Sequence, residues 1–161
     1  MEELRKVPDL TFVEFNSDLV LKKDEFQKEI EKTLLIEKEE ILKGKTVVVY
    51  TKRQLLVIEN DTKENALIRS VEISNAVQSL VGRLDVTPAF VIAKGGITSS
   101  DIGTKALQVK GAEVMGQIRP GIPVWKTGQE SRFPDIPYVI FPGNVGEITT
   151  LKEAVEILLK K

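Results

Sequence analysis

The sequence predicts an α/β fold, Rossmann-like, with a largely parallel sheet flanked by helices and a short antiparallel extension. Three observations carry this. Short apolar, β-branched runs alternate with longer stretches of helical period. Two of the runs empty into glycine turns followed by hydroxyl residues, as βα connections do. A Pro-Gly turn at Arg119-Pro120-Gly121 joins two further short strands, which form the extension.

The elements follow in order. Thr11-Phe12-Val13-Glu14-Phe15 alternates like a strand. Asp24 opens a helix to about Lys43, with Phe26, Ile30, Leu34 and Leu35 as its apolar stripe. Glu25, Lys28, Glu29, Lys32, Glu37 and Lys38 form its expected solvated face. After Gly44, Thr46 to Thr51 reads as a buried strand. Lys52 to Lys63, with the apolar Gln54-Leu55-Leu56-Val57-Ile58 between charged flanks, reads as a loop or edge segment. Asn65 to Leu84 has helical period through Ala66, Ile68, Val71, Ile73, Ala76, Val77, Leu80 and Val81. Pro88 introduces a strand ending at Ala93, and a short helix from Ser99 to about Leu107 follows, weakened near its middle by Gly103. Glu113 to Ile118 and Ile122 to Lys126 are the extension strands. Pro137 to Phe141 is the last strand. Thr150 to Lys160 is the last helix, with a Thr150-to-Glu153 capping box and an apolar face of Leu151, Ala154, Val155, Leu158 and Leu159.

The chemistry concentrates in the two glycine turns. Lys94-Gly95-Gly96-Ile97-Thr98-Ser99 follows one strand, and Pro142-Gly143-Asn144-Val145-Gly146 follows another. Gly95 and Gly96 can bring bare backbone close to a ligand, while Thr98 or Ser99 can cap the next helix and leave its first N–H groups facing an anion. Thr98 to Asp101 also has capping-box spacing. One helix end contributes only ~0.3–1 kcal/mol toward a charge, against roughly 8 kcal/mol for a micromolar ligand, so a real site needs both loops together. In α/β sheets ligands sit at the carboxyl ends of strands, where both loops lie. Taken singly, each loop is an ordinary βα turn, and neither a Gly-x-x-x-x-Gly-Lys-Ser/Thr nor a Gly-x-Gly-x-x-Gly pattern is present. Trp125 reads as packing, Arg119 as a solvated turn residue and Asp101 as part of a cap, in preference to ligand roles.

Composition narrows the function. The 161 residues, 42% of them hydrophobic, suit one domain over 1–161. A net charge of −1 gives no general attraction to nucleic acid or acidic membranes. Charged residues break up the N-terminus, and no run approaches the ~20 apolar residues of a membrane span. With no cysteine, a cytoplasmic location is expected. With no histidine or cysteine, triads, common zinc sites and thiol chemistry are excluded within this chain, leaving phosphoryl transfer or binding.

The stretch Ala93-Lys94-Gly95-Gly96-Ile97-Thr98-Ser99-Ser100-Asp101-Ile102, then Leu107 to Ala112, Gly116 to Trp125 and Phe141-Pro142-Gly143-Asn144-Val145-Gly146, resembles the C-terminal nucleotide-binding domain of the four-carbon acid sugar kinases. The likeness is dense from about residue 46 onward and includes Val47 to Thr51. It implies ATP as cofactor, Mg²⁺ arriving with the nucleotide, and phosphorylation of threonate, erythronate or 2-oxo-tetronate type acid sugars. Carried over residue by residue, the Gly-Gly-x-Thr element falls on Gly95, Gly96, Ile97, Thr98 and Ser99 and the late glycine on Gly143; Lys94, Asn144 and Gly146 complete the candidate set. Many members have Asp where Ile97 stands and Lys where Phe141 stands, so those charged contacts are not carried over. The resemblance also implies a preceding acid-sugar-binding domain, and an opening strand with a Gly-Ser-type turn, that do not precede Asp9-Leu10. The expectation is a nucleotide domain that partners an acid-sugar-binding domain or chain, leaves room for a homo-oligomer, holds no assigned catalytic base and is inactive alone. The competing readings are a non-catalytic nucleotide-binding or regulatory module acting with a separate chain, and a purely structural interaction domain.

Overall fold

The computed structural model describes residues 1–52 and 56–160. It is a mixed α/β fold with parallel sheet elements flanked by helices, arranged as two compact units: Leu10–Val86, and Met1–Asp9 together with Thr87–Lys161.

In the first unit, strand β1 (Leu10–Phe15) pairs in parallel with β2 (Thr46–Thr51), Leu10 opposite Thr46 and Phe15 opposite Thr51. Helix α1 (Lys23–Leu42) makes the crossover, and α2 (Lys63–Gly82) follows β2. Phe15, Ile30, Ala76 and Leu80 form the core, with Phe26 tilted against Phe15 at 5.6 Å between ring centroids. Helix α2 begins two residues earlier than expected because Thr62 caps it, its hydroxyl accepting from the Asn65 amide at 3.1 Å. Its predicted apolar face is buried only in part, since Ile68 and Val71 are exposed and burial concentrates at Ala76 and Leu80. Of the stretch read as a loop or edge, Leu56 to Ile58 is loop, whereas Gln54 and Leu55 lie outside the described residues.

The inward stripe of α1 corrects the sequence reading. Phe26, Ile30, Thr33, Leu34 and Glu37 face inward, Leu35 is exposed, and Glu29 and Glu37 are buried. Spacing by three and four residues brings the glutamates onto the buried face along with the apolar side chains. Glu29 is satisfied, accepting from the Asn16 amide at 3.2 Å and pairing with Lys32 at 3.3 Å. Glu37 is not: its Oε2 is buried without a hydrogen-bond partner, and burial pushes its carboxyl from an ordinary 4.5 up to about 8.

The second unit holds a four-stranded sheet in the order β3-β6-β5-β4, built from β3 (Val91–Lys94), β4 (Ala112–Arg119), β5 (Ile122–Thr127) and β6 (Pro137–Phe141). β3 and β6 are parallel, Val91 opposite Tyr138 and Lys94 opposite Phe141. The predicted extension is present as the antiparallel β4–β5 pair, and β5 continues it onto β6. Trp125 is half-buried in β5, opposite Tyr138. Helix α4 (Thr150–Leu159) covers the core of Ile122, Val139, Phe141 and Leu158, while Leu159, expected on its apolar face, is exposed. Helix α3 (Gly96–Asp101) continues directly into a π-helical turn over Ile102–Ala106, so the helical segment starts three residues before the expected Ser99.

Glu37 has a consequence for pH. Its native pKa lies above the unfolded one, so the native state binds more protons between the two values and stability falls as pH rises through that window. Urea unfolding at about pH 5 and pH 8 should show this loss, on the order of a few kcal/mol, and Glu37→Gln should flatten it. An equally steep loss in the variant would assign the pH dependence to other groups.

Candidate functional site

The two glycine loops leave neighbouring parallel strands at the same end. Lys94 lies opposite Phe141 in the β3–β6 register, and the Gly95 amide donates to the Phe141 carbonyl at 2.8 Å. A Cβ placed on Gly143 would lie 3.8 Å from the Gly95 Cα, so the loops are in contact. Lys94 Nζ sits 4.2 Å from the Phe141 ring centroid and 3.5 Å from the Pro142 carbonyl oxygen, which holds one positive charge at the root of the second loop. Ala93 and Phe141 are buried beneath, giving the loops an apolar floor.

The first loop turns on a single residue. Gly95 is the N-cap of α3 at φ 110°, and no side chain caps the helix. Thr98 and Ser99 therefore do not cap it, and the Thr98–Asp101 box does not form; Asp101 pairs with Lys105 at 2.8 Å. Because the helix starts at Gly96, Ser99 lands on its inner side. There it is buried, with its amide donating to the Gly95 carbonyl at 2.9 Å and its hydroxyl to the Ala93 carbonyl at 2.8 Å. Its carbonyl accepts from the Tyr138 hydroxyl. Ser99 thus ties the loop to the strand before it. The amides of Gly96, Ile97 and Thr98 form the first helical turn and have no intrahelical acceptor.

The glycines divide into two kinds. Gly95 and Gly146 are required by the backbone: Gly95 has positive φ, and Gly146, at φ 88°, would place a Cβ 2.9 Å from the Thr150 Cβ. Gly96 and Gly143 are not so required, for a Cβ on Gly96 meets nothing within 4 Å and one on Gly143 makes only the ordinary 3.8 Å contact. Both are exposed, as are Asn144 at the tip of the second loop and Ile97, the latter 76% exposed.

The start of α4 also departs from expectation. Thr150 Oγ1 accepts from the Glu147 amide at 2.7 Å and Thr149 Oγ1 donates to Glu153 at 3.0 Å, in place of a Thr150–Glu153 box. The helix takes Thr149 as its N-cap, which shifts the hydroxyl facing Glu153 by one residue. Arg119 donates to Glu153 at 2.7 Å and, with the Thr149 hydroxyl, holds that carboxyl below the usual range. A Cβ on Gly121 would sit 3.2 Å from Val145, so the β4–β5 turn walls the second loop. Neither this wall nor the role of Tyr138 was visible in sequence, because the partners are separated by 24 or more residues and follow no local pattern. Among the described residues, no group of three or more Asp, Glu, His or Cys side chains is placed to hold a metal ion.

The glycine distinction is testable without a ligand. Gly146→Ala should lower stability by more than ~1 kcal/mol, whereas Gly96→Ala and Gly143→Ala should stay within ~0.5 kcal/mol of the parent in urea unfolding. Equal losses at all three positions would mean that the fold itself needs glycine at 96 and 143.

A family model described as the nucleotide-binding C-terminal domain matches residues 1–151, and the chain belongs to that family. Among solved structures, a Haemophilus influenzae protein of the DUF1537 family is similar at 21% identity and TM-score 0.69, over 98% of this chain and 36% of that one. A Bordetella bronchiseptica domain of unknown function (DUF1537), crystallised with bound citrate as a domain-swapped dimer, is similar at 18% identity and TM-score 0.66, over 92% of this chain and 35% of that one. The chain thus spans about a third of the length of these structures, and at such identities the likeness shows the fold. No curated protein matches the chain. Among the described residues, no helix is long and apolar enough to cross a membrane.

Proposed function

We propose that this member of the nucleotide-binding C-terminal domain family binds ATP, its phosphates lying over the amides of residues 96–98 and the second glycine loop, as the nucleotide half of a kinase for four-carbon acid sugars. The observation that carries the reading is the pair Gly96 and Gly143. They are glycines in two touching loops at the carboxyl ends of neighbouring parallel strands, at positions where the fold has room for a side chain. Glycine there keeps the backbone open to a close-lying anion.

The magnitudes are adequate when the loops act together. Hydrogen bonds from amides to a charged phosphate contribute ~1.5–3 kcal/mol each, so three or four of them, with Lys94 adding a cation, reach the roughly 8 kcal/mol of a micromolar ligand. Ile97 beside the first loop and Ile148 beyond the second, 76% and 80% exposed, supply apolar surface for the rest of the nucleotide. The described side chains do not fit a protein-held Mg²⁺, since Asp101 is engaged by Lys105 and no carboxylate cluster stands at the loops. Any Mg²⁺ then arrives on the nucleotide. The acid-sugar substrate rests on the sequence resemblance, and its binding partner is a separate domain or chain. The domain-swapped dimer of the Bordetella protein supports a homo-oligomer as the working assembly.

Calorimetry with ATP tests the site. Gly96→Val and Gly143→Val should each raise Kd at least tenfold with melting temperatures near the parent's, and the double variant should depart from additivity because both side chains intrude on one ligand. Unchanged affinity in either folded variant would remove that loop from the site.

A further inference from the structure

We propose that Tyr138 is a positioning residue for the first glycine loop, its hydroxyl wedged into the helical segment after the loop so as to set where the amides of Gly96, Ile97 and Thr98 point. The inference rests on the phosphate-binding reading of that loop and assigns the control of its geometry to a residue 39 positions away from Ser99.

Tyr138 is 1% exposed and reaches from β6 to the helix that follows β3. Its hydroxyl donates to the Ser99 carbonyl, and its oxygen lies beside Gly103, 3.6 Å from where a Cβ on that residue would stand. The Ser99 carbonyl and the amide of Gly103, four residues on, are the groups that an ordinary α-helical turn would join directly; here that carbonyl takes the Tyr138 hydroxyl and the Ile102 amide. A side chain inserted between them opens the ladder. The helix changes there: α3 ends at Asp101, Ile102–Ala106 is π-helical, and the Leu107 amide donates to the Ile102 carbonyl five residues back at 2.8 Å. Gly103 admits the ring, since a Cβ on it would lie 3.2 Å from Tyr138 Cε1.

The wedge bears on the loop through Ser99, whose amide and hydroxyl bond to Gly95 and Ala93 and whose carbonyl accepts from Tyr138 as well as from the Ile102 amide. Fixing its carbonyl fixes the first turn, and with it the three amides that lack intrahelical acceptors. Burial pushes the phenol well above its ordinary value, so the hydroxyl remains a donor through the neutral range. The same strand therefore serves both loops: Phe141, at its end, feeds the second, and Tyr138, three residues earlier, braces the first.

The test is Tyr138→Phe, with Gly103→Ala as a second variant that displaces the ring but keeps the hydroxyl. Each is followed by backbone amide NMR without nucleotide and by calorimetry with ATP. Tyr138→Phe should let Ser99 and Gly103 bond directly, giving amide shifts and altered exchange confined to residues 96–107 and a rise in ATP Kd of about tenfold. Gly103→Ala should move the same amides. Leu4→Ala, a buried truncation in the N-terminal segment of the same unit, should lower the melting temperature comparably yet leave Kd within about twofold. A Tyr138→Phe protein with parent-like amides at 96–103 and parent-like Kd would overturn the proposal, as would an equal loss of affinity in Leu4→Ala. If the parent itself binds no ATP, the nucleotide reading fails, and the amide shifts alone then decide the wedge.

Discussion

The parallel pairing of β3 with β6 is the constraint on which the site depends. Parallel strands in register end at the same edge, so whatever follows Lys94 must lie beside whatever follows Phe141. The hydrogen bond from the Gly95 amide to the Phe141 carbonyl extends that pairing one residue beyond the strand and brings the loops into contact. The two turns become one surface, with Lys94 over Phe141 at their junction. The core of Ile122, Val139, Phe141 and Leu158 holds this edge from below.

The strands, the helices and the two glycine loops were legible in the sequence because they rest on local patterns, and the expectation that the loops meet came from their places at the carboxyl ends of strands in one parallel sheet. Periodicity located α1, α2 and α4 within about two residues, and strand–glycine grammar found both loops. What escaped was set by partners distant in sequence. Ser99 has the composition of a cap, but once Gly95 takes the N-cap position the hydroxyl turns inward to the Ala93 carbonyl. Thr150 likewise serves the Glu147 amide, because the helix begins one residue earlier than the box required. Glu29 and Glu37 have the charge of a solvated face, and their burial follows from a packing stripe that passes through them. Tyr138 reads as one more apolar residue in a buried strand; its hydroxyl gains meaning only when Ser99 and Gly103 are placed against it.

The arrangement separates two uses of glycine. Gly95, Gly103 and Gly146 answer to the protein: to backbone conformation at 95 and 146, and to the Tyr138 ring at 103. Gly96 and Gly143 answer to nothing among the described residues, and both are exposed, on loops that touch. A site recognised in this way is defined by exposed backbone rather than by charged side chains. That suits a chain with no histidine, no cysteine and a net charge of −1.

The central claim is that the two loops form one phosphate-binding surface. An ATP titration followed by amide chemical shifts in isotope-labelled protein addresses it residue by residue. The account predicts that the largest perturbations fall together on residues 95–98 and 143–146 and saturate with a single affinity. Perturbations confined to one loop, or centred on the charged groove between α1 and the end of α2 lined by Glu31, Lys38, Arg83 and Asp85, would contradict it.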